Sequence, residues 1–120
     1  MSLDVMLYRK KLVSFDEGKS FQDEKELVFE ANLTHNLIDM AVEAELYEAI
    51  WEPFSFCYQR AGNITDYLEY GLRQLLARPE HFKTFNPKNG WGTYENLVSF
   101  VQSYLEACNK YPRAEIFISA

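Results

Sequence analysis

At Thr34 the hydrophobic pattern of this chain changes period, and that change constrains the fold more than any other feature. Before it, apolar residues alternate. Leu3, Val5 and Leu7 interleave with Asp4, Met6 and Tyr8, and Leu27, Phe29, Ala31 and Leu33 with Val28, Glu30, Asn32 and Thr34. Successive strand side chains point to opposite faces, so this pattern predicts two half-buried strands, over 3–15 and up to Thr34. After it, Leu37, Ile38, Ala41, Val42, Leu46, Ala49 and Ile50 recur at about 3.6 residues, which predicts a helix over 35–51. Thr34 or Asn36 suits its N-cap, and Pro53 forbids its continuation.

Two more helical stripes follow. Ile64, Leu68, Leu72, Leu75 and Leu76 predict a helix over 64–77, capped by Asn63 or Thr65 and closed by Pro79, which itself suits the opening of a short turn through His81 and Phe82. Tyr94, Leu97, Val98, Val101, Leu105 and Cys108 predict a helix over 94–109 with Thr93 as cap. Residues 114–119 alternate once more and read as a closing strand. The order β-β-α-α-α-β in 120 residues is one α+β domain, 1–120, with a small, mostly antiparallel three-stranded sheet and three helices on one face. Its first two strands form a long hairpin with the turn at Glu17-Gly18-Lys19. Pairing residues whose numbers sum to 36 sets Leu3 against Leu33, Val5 against Ala31, Leu7 against Phe29 and Phe15 against Phe21, apolar on apolar along one face. The tip beyond Val13 has no helix to cover it and is expected to project or to pack on another subunit.

Charge narrows the classes of partner. The net charge is −6, and residues 1–60 carry twelve acidic and six basic side chains, against six of each in 61–120. No cluster of Lys and Arg is interleaved with aromatics, and Arg9, Lys10 and Lys11 split between two strand faces, so no nucleic-acid surface is read. No apolar run approaches the ~20 residues of a membrane span, and Met1-Ser2-Leu3-Asp4 lacks the features of a signal peptide. Cys57 and Cys108 make no CxxC pair, which fits structural thiols in a reducing, cytoplasmic setting. Aromatic residues make up 16%, more than one small core readily hides. Phe54, Phe56 and Tyr58 alternate in a stretch of weak helical pattern, and this predicts a homo-oligomer, most simply a two-fold dimer, with residues 52–62 or the hairpin tip at its interface.

Three constellations carry the chemistry. Glu30, Asn32, Thr34, His35 and Asn36 gather where a strand ends and a helix begins. A His in the first helical turn is disfavoured as a cation by the dipole, and a neutral imidazole suits a general base, with Glu30 to orient it. Helix capping accounts for the same residues more simply. His81 is the only other histidine and lies elsewhere, so no metal set and no cofactor is read. In the second, Asn89-Gly90-Trp91-Gly92 precedes a helix start, where free N–H groups bind anions, with Lys88 to assist; a turn that plants Trp91 in the core is the plainer account. In the third, Asp39, Glu43, Glu45, Glu48 and Glu52 run along the first helical stretch without a basic residue, either as a solvated face or as a dock for a cationic partner. If the first and last helices lie parallel on the sheet, Asn32, His35, Asn36, Asn89 and Trp91 converge as a ligand site.

Asn32-Leu33-Thr34-His35-Asn36-Leu37, Trp51-Glu52-Pro53, Asn86-Pro87-Lys88-Asn89-Gly90-Trp91-Gly92-Thr93-Tyr94 and Tyr111-Pro112-Arg113-Ala114-Glu115-Ile116 together resemble a family of small uncharacterised proteins of bacteria, phages and prophages. The resemblance covers most of the chain and implies no activity. Glu52 stands where the family pattern has Arg. Two function classes remain: a non-catalytic binding or protein-interaction module, with a second copy or another protein as partner, and a small enzyme or small-anion-binding protein using His35 with Glu30 near Trp91.

Overall fold

The computed structural model describes the backbone of residues 1–15 and 20–120 and the side chains of residues 1–11 and 24–120. Strands β1 (Ser2–Phe15) and β2 (Ser20–Thr34) pair antiparallel, and β3 (Glu115–Ser119) adds antiparallel to the other side of β1, giving the order β2-β1-β3. The α+β class and the long hairpin are those the alternation predicts. The turn expected at Glu17-Gly18-Lys19, with the tip it closes, lies outside the described residues.

The register holds where the core enforces it and shifts where it does not. Leu3 faces Leu33, Val5 faces Ala31 and Leu7 faces Phe29. Beyond Leu7 the pairing slips: Tyr8 pairs with Leu27, and Phe15 with Ser20 rather than with Phe21. Val28 is the extra residue, so two residues of β2 stand opposite one of β1, as in a β-bulge. Among the described side chains of β1, Leu7 is the last buried one. Past it the slip brings Arg9 opposite Glu26 and Lys11 opposite Glu24 but also Lys10 opposite Lys25, and Arg9 Nε donates to Glu26 Oε2 at 2.8 Å.

The single helix expected over 35–51 is broken. A 3₁₀ turn (His35–Leu37) leads into α1 (Ile38–Glu43), and α2 (Tyr47–Trp51) follows after a break at Glu45, whose φ is 61°. The break lets Leu46 turn inward over Gly71 of α3 (Thr65–Ala77), where a Cβ would collide with the Leu46 isobutyl group. Neither expected cap of α3 forms. Asn63 Oδ1 instead accepts from Arg60 N, and Thr65 Oγ1 donates to Gly62 O. Helices α4 (Pro79–Lys83) and α5 (Tyr94–Lys110) complete the layer, and Thr93 Oγ1 caps α5 by accepting from Asn96 N at 3.2 Å.

The core lies between this layer and one face of the sheet. Leu3, Val5, Leu7 and Leu33 are buried there against Leu37, Met40, Ile50, Leu68, Leu97 and Tyr104. The opposite face is open, with Asp4, Glu30, Asn32 and Phe117 exposed. Cys57 is exposed and Cys108 buried, both as free thiols. Among the described residues no helix is long and apolar enough to cross a membrane.

Candidate functional site

Strand β2 is an outer strand of the sheet. Among the described residues no backbone hydrogen bond joins it to any element but β1. At its C-terminal end, Ala31 to Thr34 form one wall of a groove of about 510 Å³. The other wall is α5, through Asn96, Ser99 and Ser103, with Phe100 between them; these positions recur at helical spacing and so share one face. Gly90, Trp91 and Gly92 close one end.

Local chemistry explains why the loop lies against the strand end. Gly92 has φ 110°, a backbone that disfavours a side chain, and a Cβ there would stand 2.7 Å from Thr34 Cγ2 and 3.1 Å from Leu37 Cγ. Asn36 Nδ2 donates to Trp91 O at 3.3 Å, and Asn89 Oδ1 accepts from Trp91 N at 2.9 Å. The result holds Trp91 outward with 72% of its surface exposed. Trp91 is therefore not a core residue, and its indole is a free wall of the groove.

The residues singled out from sequence divide into three groups. Trp91 and Asn32 line the groove, although Asn32 turns its amide outward to Ser2 Oγ and Asp4 Oδ1 at 2.9 and 2.8 Å. Asn36 and Asn89 do not line it; they position Trp91. His35 and Glu30 are not brought together. Glu30 is exposed on β2, and five residues of mostly extended chain, roughly 16 Å at about 3.3 Å per residue, separate it from His35. His35 Nε2 is buried without a hydrogen-bond partner, and its ring meets Trp51 edge-on at 6.4 Å. The base and orienting acid expected from sequence do not form a pair, because a strand that carries Glu30 on its open face ends before the chain turns His35 inward.

The two helix starts meet through Asn36 and Trp91, but not as two long helices. The first helical segment is only a 3₁₀ turn and six α-helical residues. At α5 two of the first-turn donors are taken: Tyr94 N donates to Asn86 Oδ1 at 2.8 Å and Asn96 N to Thr93 Oγ1. No charged side chain lines the groove. A small anion would find no cationic side chain among these lining residues. What the groove offers is an unpaired strand edge, hydroxyl and amide groups on a helix, and aromatic surface. Asn96, Ser99 and Ser103 escaped sequence reading because polar residues opposite the apolar stripe of a helix look like any solvated face. Among the described residues no three of His, Cys, Asp or Glu stand together as metal ligands. No protein-family model, curated protein or solved structure matches this chain.

Proposed function

We propose that this chain is a non-catalytic, cytoplasmic protein-interaction module that takes an extended segment of a partner protein onto the free edge of β2, beside Trp91. The observation that carries the reading is the groove itself, in which an unpaired strand edge faces a polar helix face with an exposed Trp at one end. Strand addition to such an edge draws affinity from main-chain hydrogen bonds and specificity from flanking side-chain pockets. Four residues of edge, Ala31 to Thr34, accommodate a segment of similar length. Aromatic anchors dominate interface energies, and Trp91 is placed to be one.

The test begins with peptides selected from a random display library on the purified chain. Amide shifts on binding are expected at residues 31–34 and at the Trp91 indole. Trp91→Ala is expected to weaken binding about tenfold or more, and Ser99→Arg, which fills the groove, to do the same. Proline placed along the peptide is expected to abolish binding at alternate positions, since only alternate residues point their N–H toward the edge. Selected peptides that bind elsewhere and tolerate Trp91→Ala would remove the reading.

A second reading, self-association, is favoured by Phe54 and Phe117, which are 49% and 38% exposed and border one surface beside β3. The first of them belongs to the aromatic stretch expected at an interface.

A further inference from the structure

A second cavity, of about 760 Å³, shares no lining residue with the groove and is lined by rings and carboxylates. It falls within the several-hundred-Å³ range usual for small-molecule sites. Its wall is a run of stacked aromatics. Phe56 and Tyr58 stack at 5.9 Å between centroids, Tyr58 and Tyr67 tilt together at 5.2 Å, and Tyr58 Oη donates to Tyr67 Oη at 2.6 Å. That bond ties two rings from different elements into one surface before any ligand arrives, which lowers the ordering cost of binding. Phe56 and Tyr67 remain 52% and 47% exposed, so the core does not account for them.

The charge around the wall has one sign. Glu45, Glu48 and Asp66 line the cavity, and no Lys or Arg does. Arg78, whose charge reaches Tyr70, lies over the Phe82 ring at 5.5 Å. The phenols of Tyr58 and Tyr70 are held above the ordinary tyrosine value, first by their hydrogen bonds to Tyr67 and Glu45. The non-glycine residues with left-handed backbone among those described are Glu45 and Cys57, and both serve this cavity. Glu45 lines it, and Cys57 is the link that turns Phe56 and Tyr58. Such conformations are costly for side chains other than glycine and persist where surrounding structure demands them.

We propose that this cavity binds a small organic cation through an alkylammonium group, seated against the Tyr58–Tyr67 wall and balanced by Glu48 and Asp66. A ring face attracts a cation through its quadrupole, most strongly when the cation leaves water, and a quaternary or substituted ammonium desolvates more cheaply than a metal ion. The acidic run along the first helical stretch thereby acquires a use: the break at Glu45 turns part of it toward the rings. The site is separate from the β2 groove, and its failure would leave the groove reading untouched.

The experiment titrates the purified chain with choline and with spermidine, following tyrosine and phenylalanine ring resonances, and compares 3,3-dimethylbutan-1-ol, the uncharged isostere of choline. Saturable binding of at least one cation is expected, with ring shifts confined to Phe56, Tyr58, Tyr67 and Tyr70, and with the isostere about tenfold weaker or worse. Tyr67→Leu keeps the apolar volume and is expected to weaken the cation about tenfold. Glu48→Gln and Asp66→Asn, which keep shape and lose charge, are expected to weaken it severalfold each. Thermal unfolding of each variant separates lost binding from lost fold. Absence of saturable binding by either cation, equal affinity for the isostere, or full affinity in folded Tyr67→Leu would each overturn the proposal.

Discussion

Single buried groups set much of the stability of this chain, and Tyr104 is the sharpest instance. Its ring stacks on Phe29 at 5.6 Å and meets Phe100 edge-on at 5.7 Å, which anchors α5 to β2, yet its hydroxyl is buried without a hydrogen-bond partner. An unsatisfied buried hydroxyl costs on the order of 1 kcal/mol or more. Tyr104→Phe keeps the stacking and removes the cost, so it is expected to raise unfolding free energy by about 1 kcal/mol in urea titrations; a destabilised variant would show that the hydroxyl has a partner. Burial pushes Tyr104 well above its ordinary value and Cys108 from 9.0 to about 12. Both groups are favoured as neutral acids in the folded state. Their contribution is therefore fully present below the unfolded-state values and is lost as pH rises through the folded ones. For Cys108 that window runs from pH 9 to about 12. Unfolding free energy is expected to fall across it, and the fall to be shallower in Cys108→Ala with Tyr104→Phe.

Among the elements, the broken first helix is the one that brings Glu45 and Glu48 to the ring-lined cavity. A continuous helix over 35–51 would keep Leu46 on one stripe with Ala41 and Val42. The break at Glu45 instead delivers Leu46 to Gly71, so closely that a methyl group at Gly71 has no room. Alanine normally favours a helix interior over glycine by roughly 0.5–1 kcal/mol. Here the collision dominates, and Gly71→Ala is expected to destabilise by about 1–3 kcal/mol. Adding Leu46→Ala to that variant is expected to recover part of the loss, since the two substitutions share one contact. Strict additivity of the two in thermal or urea unfolding would argue against the contact. Gly92 has the same role at the other cavity, where positive φ and the approach to Thr34 both exclude a side chain.

The described residues measure 59 × 26 × 23 Å, an elongation that follows from a hairpin running on past Leu7. One sheet face is open, and Phe54, Phe56 and Phe117 are exposed at the surface. Self-association is accordingly expected: light scattering at high micromolar concentration should give twice the mass of the 14.1 kDa chain, and Phe54→Asp should return it to one copy. A native chain that scatters as a single copy under those conditions would remove the self-association reading while leaving both cavities as they are.

Much of the architecture is written in local pattern. Alternation in 3–7 and 29–33 determined the strands and their register there, because slipping by one residue would expose every core side chain of that stretch. The stripes of α3 and α5, the Thr93 cap and the closing strand were legible for the same reason: burial on one face leaves a period in the sequence. The loop at Asn89 to Thr93 was marked by its glycines, and its nearness to Thr34 was reasoned from topology, although Gly92 packing rather than two aligned helices achieves it. Tertiary structure alone decided the rest. The bulge at Val28 arises just past Leu7, where the alternation no longer matches a buried face. The break at Glu45 arises because a contact with Gly71, distant in sequence, outweighs helical propensity. Whether Trp91 faces core or solvent, whether Glu30 reaches His35, and which carboxylates stand beside which rings depend on directions set by contacts between distant segments, and no periodicity records those.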